Sequence, residues 1–104
     1  MKVIIVPVGN EPKITDIENS LEGLQNVVGG PIEMVGFEMN EPLAIICNEE
    51  GKLTNLLPNR FIPELQDMIH GDFAIVRCNM DTGENEDLTD EDIKLIQAKL
   101  TSDA

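Results

Sequence analysis

Hydrophobic and polar positions along this chain follow two periods, one of about two residues and one of about 3.6, and the switches between them mark its elements. Val3 to Val8 is a mostly β-branched run with Pro7 near its end. It predicts a strand that lies at a sheet edge or stops at the proline. Asn10-Glu11-Pro12 marks a turn. Ile14, Ile17, Leu21, Leu24 and Val28 then recur at alternating spacings of three and four, which is one face of a helix. Thr15 stands three residues before Glu18, the spacing of a reciprocal capping pair, and Gly29-Gly30 supplies a stop. Gly23 weakens the middle of that helix.

Strand character returns from Ile32 to Met39, with Val35, Phe37 and Met39 on one face and Gly36 marking a bulge or a close backbone approach. Leu43 to Cys47 is apolar throughout, as in a strand covered on both faces. Asn48-Glu49-Glu50-Gly51 reads as a hairpin loop, with Lys52 to Leu57 pairing back and Pro58 ending the return. Leu65, Met68 and Ile69 suggest a short helical segment between Pro63 and Ile69. Phe73 to Cys78 is another apolar strand, followed by an acidic loop over 81–89. Thr89 caps a last helix whose buried stripe is Ile93, Ile96 and Leu100; Leu95 falls off that stripe. Asp90, Glu91 and Asp92 occupy its first turn, where the helix dipole favours anions.

Together these elements predict an α+β fold: a single domain over 1–104, with a largely antiparallel sheet of about five strands. One helix follows the first strand and one closes the chain, both covering the sheet. A chain of 104 residues builds one hydrophobic core and is too short for two.

Charge narrows the function classes. There are 20 acidic residues against 7 basic ones, a formal net charge of −13. That charge repels a polyphosphate backbone and an anionic membrane surface, so neither direct nucleic-acid binding nor membrane association is expected. Stacking platforms are also scarce, since Phe37, Phe61 and Phe73 are the only aromatic residues. No apolar run approaches the roughly 20 residues that span a bilayer, and MKVIIVPVG is read as a first strand and not as a signal peptide. Cys47 and Cys78 sit in apolar contexts with no further cysteine, which suggests two buried thiols in a reducing cytoplasm.

Candidate chemistry is sparse. Asp81, Asn85, Asp87 and Asp92 fall where a calcium loop places oxygen ligands, but Gly83 replaces a third ligand and Glu86 stands where the sharp turn needs glycine. A solvated acidic turn is the default. His70 is the single histidine; a metal cluster or a nucleophilic pair would have to recruit Cys47 or Cys78 without supporting spacing, so no metal and no cofactor are expected. Arg60, one of two arginines, follows Pro58-Asn59 and offers a guanidinium fork for a carboxylate or phosphate. The competing reading pairs it internally, with Glu49 or Glu50.

VGGPIEMV at Val28 to Val35, ICNEEGKL at Ile46 to Leu53, LPNR at Leu57 to Arg60, GDFAIV at Gly71 to Val76 and LTDEDI at Leu88 to Ile93 together resemble the domain-of-unknown-function family numbered 3846. The resemblance covers nearly the whole chain and implies a small accessory protein of bacteriophage or mobile-element origin, with no activity attached. Its family-like positions here are Gly29, Gly30, Glu33, Asn48, Glu49, Glu50, Gly51, Pro58, Asn59 and Arg60.

The expectation drawn from charge and motifs is a non-enzymatic protein-interaction module that presents carboxylates to a host or phage protein, a basic one if those carboxylates stand in for phosphates. The alternative is a small-ligand binder in which Asn48, Glu49, Asn59 and Arg60 line a pocket near the 48–60 hairpin, with Arg60 facing a nucleotide-like phosphate. An enzyme ranks last, because the roles of base, nucleophile and oxyanion donor have no recognisable occupants. Oligomeric state is not legible.

Overall fold

The computed structural model describes residues 1–38, 42–63 and 65–102. Its main sheet is entirely antiparallel, in the order β2-β1-β7-β4-β3, with β8 paired to β7 as a sixth strand. These strands are β1 (Lys2–Val6), β2 (Lys13–Asp16), β3 (Ile32–Glu38), β4 (Leu43–Asn48), β7 (Phe73–Cys78) and β8 (Asn85–Glu86). A separate hairpin is formed by β5 (Pro58–Ile62) and β6 (Asp67–His70). The helices are α1 (Leu21–Val28) and α2 (Asp90–Ser102). The fold is α+β, as the sequence predicts, with more strands than the five expected.

Two apolar layers enclose the central strands. Val3, Ala44, Ile46, Ala74 and Val76 face Leu24 and Val28 of α1. Ile4, Val6, Ile45, Phe73 and Ile75 face the opposite way, onto Ile93, Ile96 and Leu100 of α2 and onto Ile62 and Ile69 of the β5–β6 hairpin. With both faces buried, β4 and β7 must be apolar at every central position, which is why they read as unbroken runs. Leu95 is half-buried at the margin of the second layer.

Three local readings are corrected. First, α1 begins at Leu21 and not near Thr15, because Lys13–Asp16 pairs with β1 in the register Ile4↔Ile14 and Lys2↔Asp16. Ile14 is 50% exposed, so it contributes no helical stripe. Ser20 is the true cap: its Oγ accepts from the Gly23 N–H at 3.0 Å, and Gly29, at φ 78°, closes the helix by donating to Gln25 O at 2.7 Å. Gly23 has a positive reason to be glycine, since a Cβ there would run into the Glu18 backbone carbonyl where the chain crosses the first turn. Second, Lys52–Leu57 does not pair back on β4; residues 49–55 form turns, with Asn55 at φ 59°, and pairing resumes only in β5. Third, Asp67–His70 is strand, so the helical segment expected there is absent; Pro63, Leu65 and Gln66 belong to the hairpin turn, and Glu64 lies outside the described residues. Met39, expected on the same face of β3 as Val35 and Phe37, also lies outside them. Of the two expectations for Pro7, the strand that stops there holds: β1 ends at Val6 and has a neighbour on each side.

Candidate functional site

The four residues singled out from the sequence fall into two different clefts. Asn48 and Glu49 line a cleft of about 310 Å³ between the β3–β4 end of the sheet and the β5–β6 hairpin. Asn59 and Arg60 face a second, shallower depression beside Pro7 to Pro12.

Three of the four are engaged within the fold. The Asn48 amide donates to Val28 O at 3.1 Å, satisfying an end carbonyl of α1, while its Oδ1 accepts from the Glu50 N–H at 2.8 Å. A Cβ on Gly30 would lie 2.8 Å from that same amide nitrogen, so the Gly-Gly and Asn-Glu-Glu-Gly motifs form one interlocking joint. Asn59 Nδ2 donates to Val6 O at 2.8 Å and to Gly71 O at 2.9 Å, fastening β5 to the end of β1. Arg60 Nη1 donates to Leu100 O at 2.6 Å, in the last turn of α2. Its partner is thus a helix-end carbonyl and neither Glu49 nor Glu50; the Glu49 side of the turn lines the other cleft.

The other arginine is also held. Arg77 Nη1 lies 2.9 Å from both carboxylate oxygens of Asp92, which is buried, and Arg77 Nε approaches Glu86 at 4.0 Å. Asp92 Oδ2 accepts from the Thr89 N–H at 2.9 Å while Thr89 Oγ1 accepts from the Asp92 N–H at 3.1 Å, a reciprocal cap on α2. Burial alone would raise the Asp92 pKa; the Thr89 amide, the Arg77 guanidinium and the Thr89 hydroxyl outweigh it and hold the pKa below the ordinary carboxylate value. The residues resembling a calcium loop do not converge, since Asp87 accepts from the Lys2 N–H at 2.8 Å while Asp92 serves Arg77 and Thr89. Among the described residues no group of three His, Cys, Asp or Glu side chains is placed to hold a metal.

The more enclosed cleft brings Cys47 and His70 together with residues that the sequence reading did not join to them, Glu33, Glu49, Lys52 and Asp67, over an aliphatic lining of Val35, Leu65 and Ile69. Lys52 Nζ is 2.6 Å from Asp67 Oδ1. The Asp67 pKa is lowered by that hydrogen bond and by the Met68 N–H. Cys47 and His70 share this cleft, but burial, then the Glu33 and Asp67 carboxylates, push the thiol up to about 11. It is therefore protonated at neutral pH and a poor nucleophile. The His70 ring meets Leu56 O through Nδ1 at 3.0 Å. Asp67 was not singled out because Asp67–His70 was read as part of a short helical segment, and His70 was weighed only as a lone histidine.

The motifs that carried the family resemblance thus form the joints between α1, β1, β4, β5 and α2. The family model for the domain of unknown function DUF3846 matches residues 1–101. The chain belongs to this family. Comparison with curated proteins and with solved structures gave no match. Among the described residues of this DUF3846 domain, no helix is long and apolar enough to cross a membrane.

Proposed function

We propose that this DUF3846 domain is a non-catalytic interaction module whose carboxylate-rich surface engages a basic partner protein in the cytoplasm. The observation that carries the reading is the fate of the charges. Both arginines are consumed inside the fold, Arg60 on Leu100 O and Arg77 on Asp92, while carboxylates crowd one end of the sheet. There Asp16 lies opposite Lys2, Asn19 donates to Asn85 O at 3.2 Å, and Asp87 accepts from the Lys2 N–H, which draws exposed Asp16, Glu18, Glu84, Glu86 and Asp87 together beside Asp90 and Glu91 of α2. Such a surface attracts cationic protein faces over several ångströms and repels nucleic acid. An accessory role in a phage or mobile element, implied by the family resemblance, is compatible with it.

The nucleotide-like alternative is favoured by the existence of a cleft beside the 48–60 segment, but that cleft carries Glu33, Glu49 and Asp67 against Lys52. Its field opposes a phosphate, and Arg60 lies elsewhere. The test is capture from host lysate on immobilised protein: a basic protein should be retained at low salt and released as salt rises. Retention of no basic protein at low ionic strength overturns the proposal.

A further inference from the structure

β3 is an outer strand of the main sheet, hydrogen-bonded on one side to β4. Alternate residues of such a strand turn their N–H and C=O groups away from the sheet, ready to pair with another chain. Pro31 lies before its start and a register shift between Gly36 and Glu38 closes its far end, leaving an open stretch over Ile32 to Gly36 in which Glu33, Met34 and Gly36 are exposed. β2, the other outer strand, spans only Lys13–Asp16 and takes no part in the cleft that β3 lines.

The same strand walls the 310 Å³ cleft with Glu33 and Val35. Asp67 there is matched by Lys52 at 2.6 Å, whereas the Glu33 and Glu49 carboxylates have no such partner among the described residues. The cleft is therefore anionic at its rim and aliphatic at Val35, Leu65 and Ile69, a lining that suits the methylene stem and charged head of a lysine or arginine. Its volume is at the lower end of ligand sites, of order 300 Å³, which fits one long side chain better than a cofactor.

We propose that the β3 edge and this cleft form one docking surface for an extended segment of a basic partner protein, which adds to β3 as a strand and lays one lysine or arginine side chain between Glu33 and Glu49. The inference rests on the interaction reading above and adds a second anionic contact, on the outer strand opposite β2 and apart from the cluster around Asp16 and Asp87. A second copy of this chain is the wrong occupant: it would bring an acidic strand carrying Glu33 against another, in a molecule of net charge −13.

The test uses a blocked nonapeptide of alternating threonine and valine with one central arginine, titrated into the ¹⁵N-labelled protein. Amide shifts are expected at Ile32 to Gly36, Lys52 and Asp67. Binding should weaken roughly tenfold when the central residue is glutamate or when the protein carries Glu33→Gln with Glu49→Gln, two exposed changes. N-methylation of alternate peptide amides should abolish it, because the strand pairing is then lost. No shift at millimolar peptide, equal binding of the glutamate peptide, indifference to the double variant, or N-acetylarginine methylamide binding as tightly as the peptide would each overturn the inference. If the double variant still captures a basic lysate protein as strongly as the native chain, the interaction module stands and this surface falls. If the peptide binds as described but the native chain captures nothing basic, the surface stands and the wider reading falls.

Discussion

Replacing Asp92 with asparagine removes a charge from a side chain that is 4% exposed and serves two elements at once. The carboxylate accepts from the Thr89 N–H at the start of α2 and from Arg77 of β7, at 2.9 Å in each case. Loss of a helix cap costs about 1 kcal/mol. Loss of one partner from a fully buried ion pair costs about 3 to 5 kcal/mol, but the Arg77 side chain keeps 28% of its exposure, so water relieves part of its stranded charge and about 1 to 2 kcal/mol is appropriate. Asp92→Asn is therefore expected to lose about 2 to 3 kcal/mol at pH 7, which in a domain of this size lowers Tm by at least about 8 °C. The sign of the pH dependence follows from the folded pKa being lowered from 3.8. Stabilisation by the carboxylate is complete above the unfolded value and is lost as pH falls through the folded one. In urea melts the gap between native and variant protein should be constant from pH 7 to pH 5 and narrow as pH falls below that range. Asp67, also lowered, is present in both proteins and cancels in the difference. A gap under about 0.5 kcal/mol at pH 7, or one that persists unchanged to pH 2, would refute this account of the α2–β7 junction.

Two further substitutions probe the joints. Gly23→Ala should gain about 1 kcal/mol from helix propensity alone, yet the Glu18 carbonyl occupies the space of the new Cβ. A net loss of about 1 to 2 kcal/mol is expected, against little change for Gly36→Ala, where nothing lies within 4 Å; a stabilised Gly23→Ala protein would show that the chain does not cross α1 as described. Arg60→Met should cost about 1 to 2 kcal/mol by freeing Leu100 O and loosening the end of α2, and ATP should leave Tm unchanged in both proteins. A nucleotide-dependent rise in Tm that Arg60→Met abolishes would reinstate the phosphate-binding role.

Much of this molecule was legible from local pattern. β4 and β7 announce themselves because strands covered on both faces must be apolar at every position. α2 is equally legible, since Thr89 and Asp92 cap each other within one turn while Ile93, Ile96 and Leu100 repeat at helical spacing. β2 and β6 were not. Ile14 and Ile17 carry a helical spacing by coincidence, and only pairing with β1, a contact between distant segments, holds Lys13–Asp16 extended. The sixteen residues from Gly51 to Gln66 behave alike: the return toward β4 is prevented because β4 already has β3 and β7 on its two sides, so the chain leaves the sheet and builds its own hairpin.

The candidate surface divides along the same line. Acidity and the scarcity of proton-transfer groups are properties of composition, and no folding alters them. Which carboxylates remain available depends on where the seven cations settle, and that is a matter of three-dimensional neighbours. Arg60 illustrates it: the residue with the strongest claim to a ligand from its motif is spent on a carbonyl 40 positions away, while the Glu33 and Glu49 carboxylates have no ion-pair partner among the described residues and line the cleft beside the outer strand β3. Local pattern specifies what each segment can bury and how it turns; competition among distant groups for the same hydrogen bonds and charges specifies what is left to face a partner.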